Sequence, residues 1–428
     1  MKDIIFNRSE RKEHKAGNIW SSVSGTGPGG PLEYFGRMID HCYDFAEAAK
    51  KQGRPIVGIL CEFTPREVIL AAGAVPVCLC GGSAATIPAA EQYLPANLCP
   101  LIKSTFGYHV KGSNPFLEWA DLVVAETTCD GKKKMFELLA ADKPMYVLEL
   151  PQKAEDPDAL EHWVGEVRKL KAHLEERFKV SVTDAKLRAA IQLMNRERRC
   201  RRELAGLMAA EPPPLTGRQL LEFKSIISGI EADLEQYAAA LAWFGDGRRA
   251  GAAPAAGTPP ARKVRVLLTG VPLVHGAERV IELIESCGAV VVCQENCTGL
   301  KPILEDVEAQ EPDPILAIAR KYYHLPCSVM MGNDRRLEML RSLAARFRPD
   351  CVIELVWQAC LTYDVESLRV RQMVEKELRL RYLKLTTDYS PSDSARLCAR
   401  VAALIETVSP NSDSPGEGTG LTGAVVPL

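Results

Sequence analysis

Short apolar runs separated by helical patterns set the rhythm of the first part of the chain. Pro55-Ile-Val-Gly-Ile-Leu60, Val75-Pro-Val-Cys-Leu-Cys80, Asp121-Leu-Val-Val-Ala125 and Pro144-Met-Tyr-Val-Leu-Glu-Leu150 read as strands buried on both faces, because their apolar residues run on without regular polar alternation. Between them, Thr64-Pro65-Arg-Glu67 predicts a helix start, with Thr64 as N-cap, proline at the first helical position and Glu67 closing a capping box. Asn97-Leu-Cys99-Pro100 opens another helix. After Thr128-Cys129-Asp-Gly131 a third follows, with Met135, Leu138 and Leu139 on one face. The same rhythm returns at Lys263-Val-Arg-Val-Leu-Leu-Thr269, Ala289-Val-Val-Val-Cys293, Asp350-Cys-Val-Ile-Glu-Leu-Val356 and Tyr382-Leu-Lys-Leu-Thr386. Strands alternating with helices predict parallel, doubly wound sheets.

The intervening stretch is different. After Asp156-Pro157, Trp163, Val167, Leu170, Leu174 and Phe178 fall at helical spacing, and Thr216-Gly-Arg-Gln219 is a capping box leading into Leu220, Phe223, Ile226, Ile227 and Ile230. Arg196-Glu-Arg-Arg-Cys-Arg-Arg-Glu203 reads as a solvated helix face. The predicted organisation has an N-terminal segment, 1–54, with a Gly/Pro loop at Ser24–Pro31 and an amphipathic helix through Phe35, Met38, Ile39, Cys42 and Phe45. A first α/β domain, 55–151, a helical domain, 152–245, a linker, 246–262, a second α/β domain, 263–408, and a flexible tail, 409–428, follow. The fold class is therefore α/β: two doubly wound parallel-sheet domains, Rossmann- or flavodoxin-like, plus a helical domain.

The two α/β parts form a degenerate repeat. Ile56-Val-Gly-Ile-Leu60 parallels Val264-Arg-Val-Leu-Leu268, Leu98-Cys99-Pro100 parallels Pro326-Cys327-Ser328, and Thr128-Cys129 parallels Ala359-Cys360. The match fails once. Cys61 follows the first strand of its part, whereas Cys297 follows the second, nearer the position of Cys80.

A chain of 428 residues has length for two or three domains, and its net charge of -2 supplies no basic field for nucleic acid or an anionic membrane surface. No run approaches the roughly 18 apolar residues of a membrane span, and the first residues lack a signal-peptide core, so cytoplasmic residence is the expectation. No G-x-x-x-x-G-K-[ST] motif occurs: Gly131-Lys-Lys-Lys134 lacks the leading glycine, and the Gly/Pro loop has no strand before it. ATP binding by this chain is not expected.

Fourteen cysteines in a reducing compartment imply small buried side chains or soft-metal ligands, and position must separate the two. Cys61, Cys99, Cys129, Cys297, Cys327 and Cys360 fall at strand ends or helix starts. Their intervals within each half are 38, 30, 30 and 33 residues. Each is about one βα unit, unlike the tight C-x-x-C ladders of ferredoxins and zinc ribbons. Ligands on successive strand tips can gather at one sheet edge, although spacing alone leaves each cysteine open between ligand and packing residue. Cys129 is the best placed, in a strand-to-helix turn where open α/β sheets bind ligands and the next helix favours a thiolate. Cys42, Cys200, Cys287, Cys351 and Cys398 lie within regular patterns and read as core or incidental. Cys78, Cys80 and Cys293 end apolar strands and read as packing, with Cys80 a reserve ligand because of the repeat mismatch.

With the cysteines placed, residues 55–408 resemble the 2-hydroxyacyl-CoA dehydratase and benzoyl-CoA reductase superfamily. The resemblance rests on Leu60-Cys61-Glu-Phe-Thr-Pro65-Arg-Glu67-Val, Ala72-Gly73-Ala74-Val-Pro76, Leu98-Cys99-Pro100, Thr128-Cys129-Asp130-Gly131 and Leu148-Glu-Leu-Pro151. In the second half it rests on Glu295-Asn-Cys297-Thr-Gly299, Pro326-Cys327-Ser328, Cys360-Leu-Thr-Tyr363 with Glu366, and Thr387-Asp388-Tyr389. The Cys297-Thr-Gly and Cys360-Leu-Thr-Tyr stretches look most like the double-cubane cluster proteins. That resemblance implies a homodimer, with two cubanes joined by a bridging sulfide ([8Fe-9S]) and three cysteines per cubane. It also implies an ATP-hydrolysing [4Fe-4S] reductase as partner, and reduction of small acetylene-like or nitrogen-containing substrates. The alternative within the superfamily is a dehydratase or benzoyl-CoA reductase subunit with one [4Fe-4S] cluster and an unlike partner chain. A non-enzymatic zinc-binding or cluster-carrying scaffold is the third reading. The grouping of the cysteines into cubanes stays open, and so does the proton donor, for which His109, His275, Tyr363, Asp388 and Tyr389 are placed near strand ends or cluster motifs.

Overall fold

Eight strands form two parallel sheets of identical topology. In the computed structural model, which describes residues 30–246 and 262–409, β1 (Ile56–Ile59), β2 (Val75–Cys78), β3 (Leu122–Glu126) and β4 (Met145–Leu148) lie in the order β2-β1-β3-β4. β5 (Val264–Gly270), β6 (Ala289–Gln294), β7 (Cys351–Trp357) and β8 (Arg381–Thr387) lie in the order β6-β5-β7-β8. All six pairings are parallel. The degenerate repeat in the sequence is thus a repeat of topology. Residues 24–29 of the glycine loop, 247–261 of the predicted linker and 410–428 of the predicted tail lie outside the described residues.

Burial follows the apolar runs. Every residue of β1, β3, β5, β6 and β7 is buried, whereas the edge strands β4 and β8 keep exposed positions. One apolar core contains residues of both sheets, from Ile56, Val75 and Val123 to Val266, Val291 and Ile353. In each sheet the chain reverses direction between its two inner strands, β1 and β3 or β5 and β7. The crevice beyond the carboxyl ends there is the usual ligand position of an open α/β sheet.

The helices that matter for the site are α1 (Pro100–Val110), α2 (Asp130–Leu139), α3 (Ala159–Phe178), α4 (Asp184–Leu207), α5 (Pro314–Tyr323) and α6 (Leu361–Lys376). α3 and α4 bridge the two α/β parts. Trp163 on α3 donates its indole N–H to Ala319 O of α5 at 3.1 Å. Arg198 on α4 donates to Glu67 at 2.5 Å and to Tyr322 Oη at 3.2 Å, and Tyr322 donates in turn to Glu67 at 2.8 Å.

Four local expectations need correction. The N-terminal helix is two, Pro31–Gly36 and Met38–Lys51, broken at Arg37. Thr64 and Glu67 do not cap the next helix, Arg66–Ala71, which has Pro65 at its N-cap. Thr64 donates its hydroxyl to Glu126 and Glu67 is committed to Arg198, so buried polar partners outbid the local box. The Thr216/Gln219 capping box does form, but its helix stops at Glu222. Residues beyond it are drawn off to the edge of β2, where Cys78 N donates to Ile226 O at 2.7 Å and Val77 bridges Ile227. The charged run 196–203 is not wholly solvated either: Glu197 and Arg198 are buried.

Candidate functional site

The six cysteines at strand ends and helix starts form a connected series in which each lies within electrostatic range of others. Cys61 follows β1 and Cys129 follows β3, while Cys297 follows β6 and Cys360 follows β7. Cys99 precedes α1. Cys327 sits in a turn in which its amide meets Leu325 O at 2.8 Å and its carbonyl accepts from Met330 N at 3.0 Å. The Gly82 amide donates to His275 O at 3.1 Å, so the loops after β2 and β5 touch directly and close one side of the junction.

Mutual electrostatic influence groups the thiols into two trios. Cys61 lies within electrostatic range of Cys327 and Cys297, and Cys297 within range of Cys327. Cys99 is engaged with Cys360 through their thiols and lies near Cys129, while Cys129 feels Cys360 first and Cys327 next. Cys61/Cys297/Cys327 is thus one group and Cys99/Cys129/Cys360 the other, joined across Cys129 and Cys327. Each trio draws on both halves of the chain.

Cys61, Cys129, Cys297 and Cys360 keep accessible surface although they lie deep in the molecule. The same holds for Lys132.

Two ammonium groups lie within electrostatic range of these thiols. Lys132, in the first turn of α2, donates to Leu60 O at 2.6 Å, the carbonyl just before Cys61. Burial works against its charge, but the thiols of Cys61, Cys80 and Cys129, and then Glu126, hold its pKa above the usual lysine range. Lys301 pairs with Glu295 at 2.9 Å and donates to Tyr363 Oη at 2.9 Å, with Cys297 and Cys327 in range. Glu295 is shared with the buried Arg336, 3.6 Å away, which also reaches Glu354 at 3.0 Å. Burial pushes the Cys61 thiol far up and that of Cys297 up to about 11, and the nearest lysine opposes it in each case. A cation this deep needs compensating negative charge. Glu295 supplies it for Lys301, and Glu126 is the carboxyl that acts on Lys132.

The second trio uses backbone instead. Cys99, Cys129 and Cys360 are the N-cap residues of α1, α2 and α6. Their sulfurs do not complete strict capping hydrogen bonds. Even so, the amides of Leu101 and Ile102, of Lys132, and of Tyr363 are turned toward them and favour the thiolates.

Cys80, the reserve ligand, borders the first trio. Its thiol donates to Leu60 O at 3.4 Å and lies within range of Lys132 and Cys61. It also engages Cys78, whose own pKa that contact pulls down to about 6. Glu126 is wholly buried at the end of β3. Burial pushes its carboxyl up to about 7 against the opposing Thr64 hydroxyl, Lys132 and Arg66, and its Oε2 has no hydrogen-bond partner. Of the five groups placed as proton donors, Tyr363 and Tyr389 line the site: Tyr363 faces Cys327 and Cys297, and Tyr389 faces Cys99, Cys80 and Cys360 with an unpartnered buried hydroxyl. His109 pairs with Asp142 at 3.1 Å, His275 with Glu278 at 3.4 Å, and Asp388 accepts from Ser390 N at 2.7 Å. Of the remaining cysteines, Cys42, Cys293 and Cys351 are buried, and Cys287 and Cys398 touch each other at 3.3 Å.

The donor set suits a polynuclear, anionic iron–sulfur group. Thiolates are the ligands of such groups. Among the described residues no three His, Cys, Asp or Glu side chains close on a single ion. Residues 61–408 match the family model for the 2-hydroxyglutaryl-CoA dehydratase D-component. The chain belongs to that family. It is a component of the 2-hydroxyacyl-CoA dehydratase and benzoyl-CoA reductase type. Similarity is extensive to the Escherichia coli K12 protein named "Putative dehydratase subunit YjiM", 40% identical over 364 residues, which span 83% of this chain and 92% of that one. The lactoyl-CoA dehydratase subunit beta of Anaerotignum propionicum is 29% identical over 37% of this chain and 42% of its own length. A benzoyl-CoA reductase subunit of Thauera aromatica is 24% identical over the same shares. No helix among the described residues of this family member is long and apolar enough to cross a membrane.

Proposed function

We propose that this chain holds a double-cubane [8Fe-9S] centre on Cys61, Cys99, Cys129, Cys297, Cys327 and Cys360, and reduces small molecules with it in the cytoplasm as a homodimer. Electrons come, as the family resemblance implies, from an ATP-hydrolysing [4Fe-4S] reductase. The reading is supported by six thiols from both halves of the chain within electrostatic range of one another, with the Lys132 ammonium held at the carbonyl just before Cys61. When bound, such a centre supplies low-potential electrons, its potential tuned by charge, hydrogen bonds to sulfur and exposure. Cys61, Cys297 and Cys327 hold one half, and Cys99, Cys129 and Cys360 the other. Glu126, whose buried carboxyl is pushed up to about 7, is partly protonated near neutral pH, and the hydroxyls of Tyr363 and Tyr389 lie within range of the cysteines.

The family match supports a second reading, a subunit with one [4Fe-4S] cluster that pairs with an unlike chain. Anaerobic purification with iron and sulfide counting separates the two: about eight irons per chain is expected for the first and about four for the second. Stoichiometric zinc without a brown chromophore would overturn both. Cys129→Ser is expected to lose at least about half of the iron, whereas Cys398→Ser keeps it, because its sulfur touches Cys287 away from the trios. Equal iron in the two variants would refute the ligand assignment. Adding the reductase with ATP is expected to produce a reduced EPR signal that ATP alone does not.

A further inference from the structure

Cys287 and Cys398 stand apart from the six cysteines of the site, and the fold places them side by side. Cys287 is the C-cap residue of the helix Arg279–Ser286, and Cys398 lies in α7 (Ser394–Val408). Apolar faces fix both helices. Val280, Ile281 and Ile284 of the first, and Leu397, Val401 and Ile405 of the second, are buried in the core that contains residues of both sheets. The two thiols stand at the rim of that packing. Each cysteine is partly exposed, with exposed Ser286 and Gly288 beside one and exposed Ala399 and Arg400 beside the other. Cys42, Cys293 and Cys351, by contrast, are buried.

The sulfurs of Cys287 and Cys398 are 3.3 Å apart although 111 residues separate them in the chain. The Cys287 thiol also reaches Cys398 O at 3.8 Å. At the other end of the same short helix, Arg279 donates to Asp393 at 3.0 Å, to Ser394 Oγ at 2.9 Å and to Thr387 Oγ1 at 3.0 Å. The helix Arg279–Ser286 is thus tied to α7 and the segment before it at both of its ends, which sets the approach of the two thiols. Closing the 3.3 Å gap to the about 2.0 Å of a disulfide takes roughly 1.3 Å, shared between two side chains. Burial and the Cys398 thiol hold the Cys287 thiol up at about 11, so the pair rests as thiols until an oxidant takes one of them.

We propose that Cys287 and Cys398 are an oxidisable pair, converted by small-molecule disulfides into a cross-link that locks α7 onto the helix Arg279–Ser286. One cysteine attacks the S–S bond of the oxidant, forming a mixed disulfide and releasing one small thiol. The other cysteine then attacks the protein sulfur of that mixed disulfide, forming the Cys287–Cys398 bond and releasing the second small thiol. Two protein thiols are oxidised, one oxidant disulfide is reduced, and the two thiol protons pass to the leaving sulfurs. In the reduced protein, packing and the Arg279 hydrogen bonds hold α7 to its neighbour, and an element held in this way opens locally at less cost than global unfolding. A cross-link spanning 111 residues constrains the opened chain more than a short loop does. The lock does not depend on which group the six cysteines of the site carry.

The test treats the anaerobically purified full chain with glutathione disulfide, alkylates the remaining thiols in denaturant and maps the peptides by mass spectrometry. A Cys287–Cys398 cross-link is expected, absent before treatment and removed by dithiothreitol. Recovery of the two cysteines as alkylated thiols, as separate glutathione adducts, or joined to other cysteines would overturn the inference. The lock itself is read from trypsin cleavage after Arg400, an exposed residue of α7. In the oxidised wild type this cleavage is expected to slow by at least about tenfold, and dithiothreitol is expected to restore it. Cys287→Ser and Cys398→Ser, treated in the same way, are expected to show no slowing. Equal cleavage of the oxidised and reduced wild type would mean that the bond forms without locking α7, and slowing of equal size in the serine variants would assign the effect to some other cysteine; either result would overturn the inference.

Discussion

Glu126 is the residue whose chemistry departs furthest from what its neighbours in sequence suggest. Burial lifts its carboxyl from the usual range to about 7, so between about pH 4.5 and 7 the folded protein holds a proton that the unfolded chain releases. Its contribution to stability is greatest at low pH and is lost as pH rises through 7, by up to about 3 kcal/mol. Denaturant titrations of the iron-free protein at about pH 5 and pH 8 are expected to show Glu126→Gln gaining on the wild type at the higher pH. An unchanged difference between the two proteins at both pH values would show that Glu126 titrates normally. The cysteines were legible from sequence because turn residues and strand ends mark them. Glu126, Lys132 and Lys301 were not. Lys132 sits in a run of three lysines that reads as surface, and only its place in the first turn of a cysteine-capped helix distinguishes it. The roles of Glu126 and Lys301 depend on partners far along the chain, which local pattern does not carry.

At the scale of elements, all eight strands lie where apolar runs put them, but β4, expected to be buried on both faces, is an edge strand with Val147 exposed, and β8 is likewise only partly buried. Helix ends were less legible. The Thr216 box formed, whereas the Thr64 box failed because Glu126 and Arg198 compete for its members. Contact between the loops after β2 and β5 has no sequence signal beyond glycine. Gly276 has φ +92°, and a β-carbon there would lie 2.5 Å from Gly82 O, whereas Gly53, with φ +74°, has nothing within 4 Å. Both alanine variants carry the backbone penalty, about 1 kcal/mol, but only Gly276→Ala also forces the two loops apart. Gly276→Ala is therefore expected to destabilise more than Gly53→Ala, by a further 1–2 kcal/mol or so, and to lower iron content as well. Equal midpoints in denaturant and equal iron would mean that the junction tolerates separation.

Across the whole molecule, two similar sheets could sit in many relative positions, and the helical stretch between them decides which one is adopted. That role was hidden, because a charged run on an amphipathic helix gives no sign of which charge turns inward. Arg198 does so. Its guanidinium, from α4, meets Glu67 beside the first sheet and Tyr322 on α5, so one ion pair ties three parts of the chain together. Both partners are buried, at 3% and 0% side-chain exposure. Arg198→Met removes the cation and leaves a carboxylate inside, which costs about 3–5 kcal/mol, while removing both charges together costs much less. The expected result is a large fall in the denaturation midpoint for Arg198→Met, with most of it recovered when Glu67→Gln is added. Recovery separates a charge left unpaired from packing lost with the long side chain, because Met replaces the packing in both variants. If the double variant were as unstable as the single, Arg198 would be holding the parts together by volume, and the ion pair would not be what fixes the two sheets relative to one another.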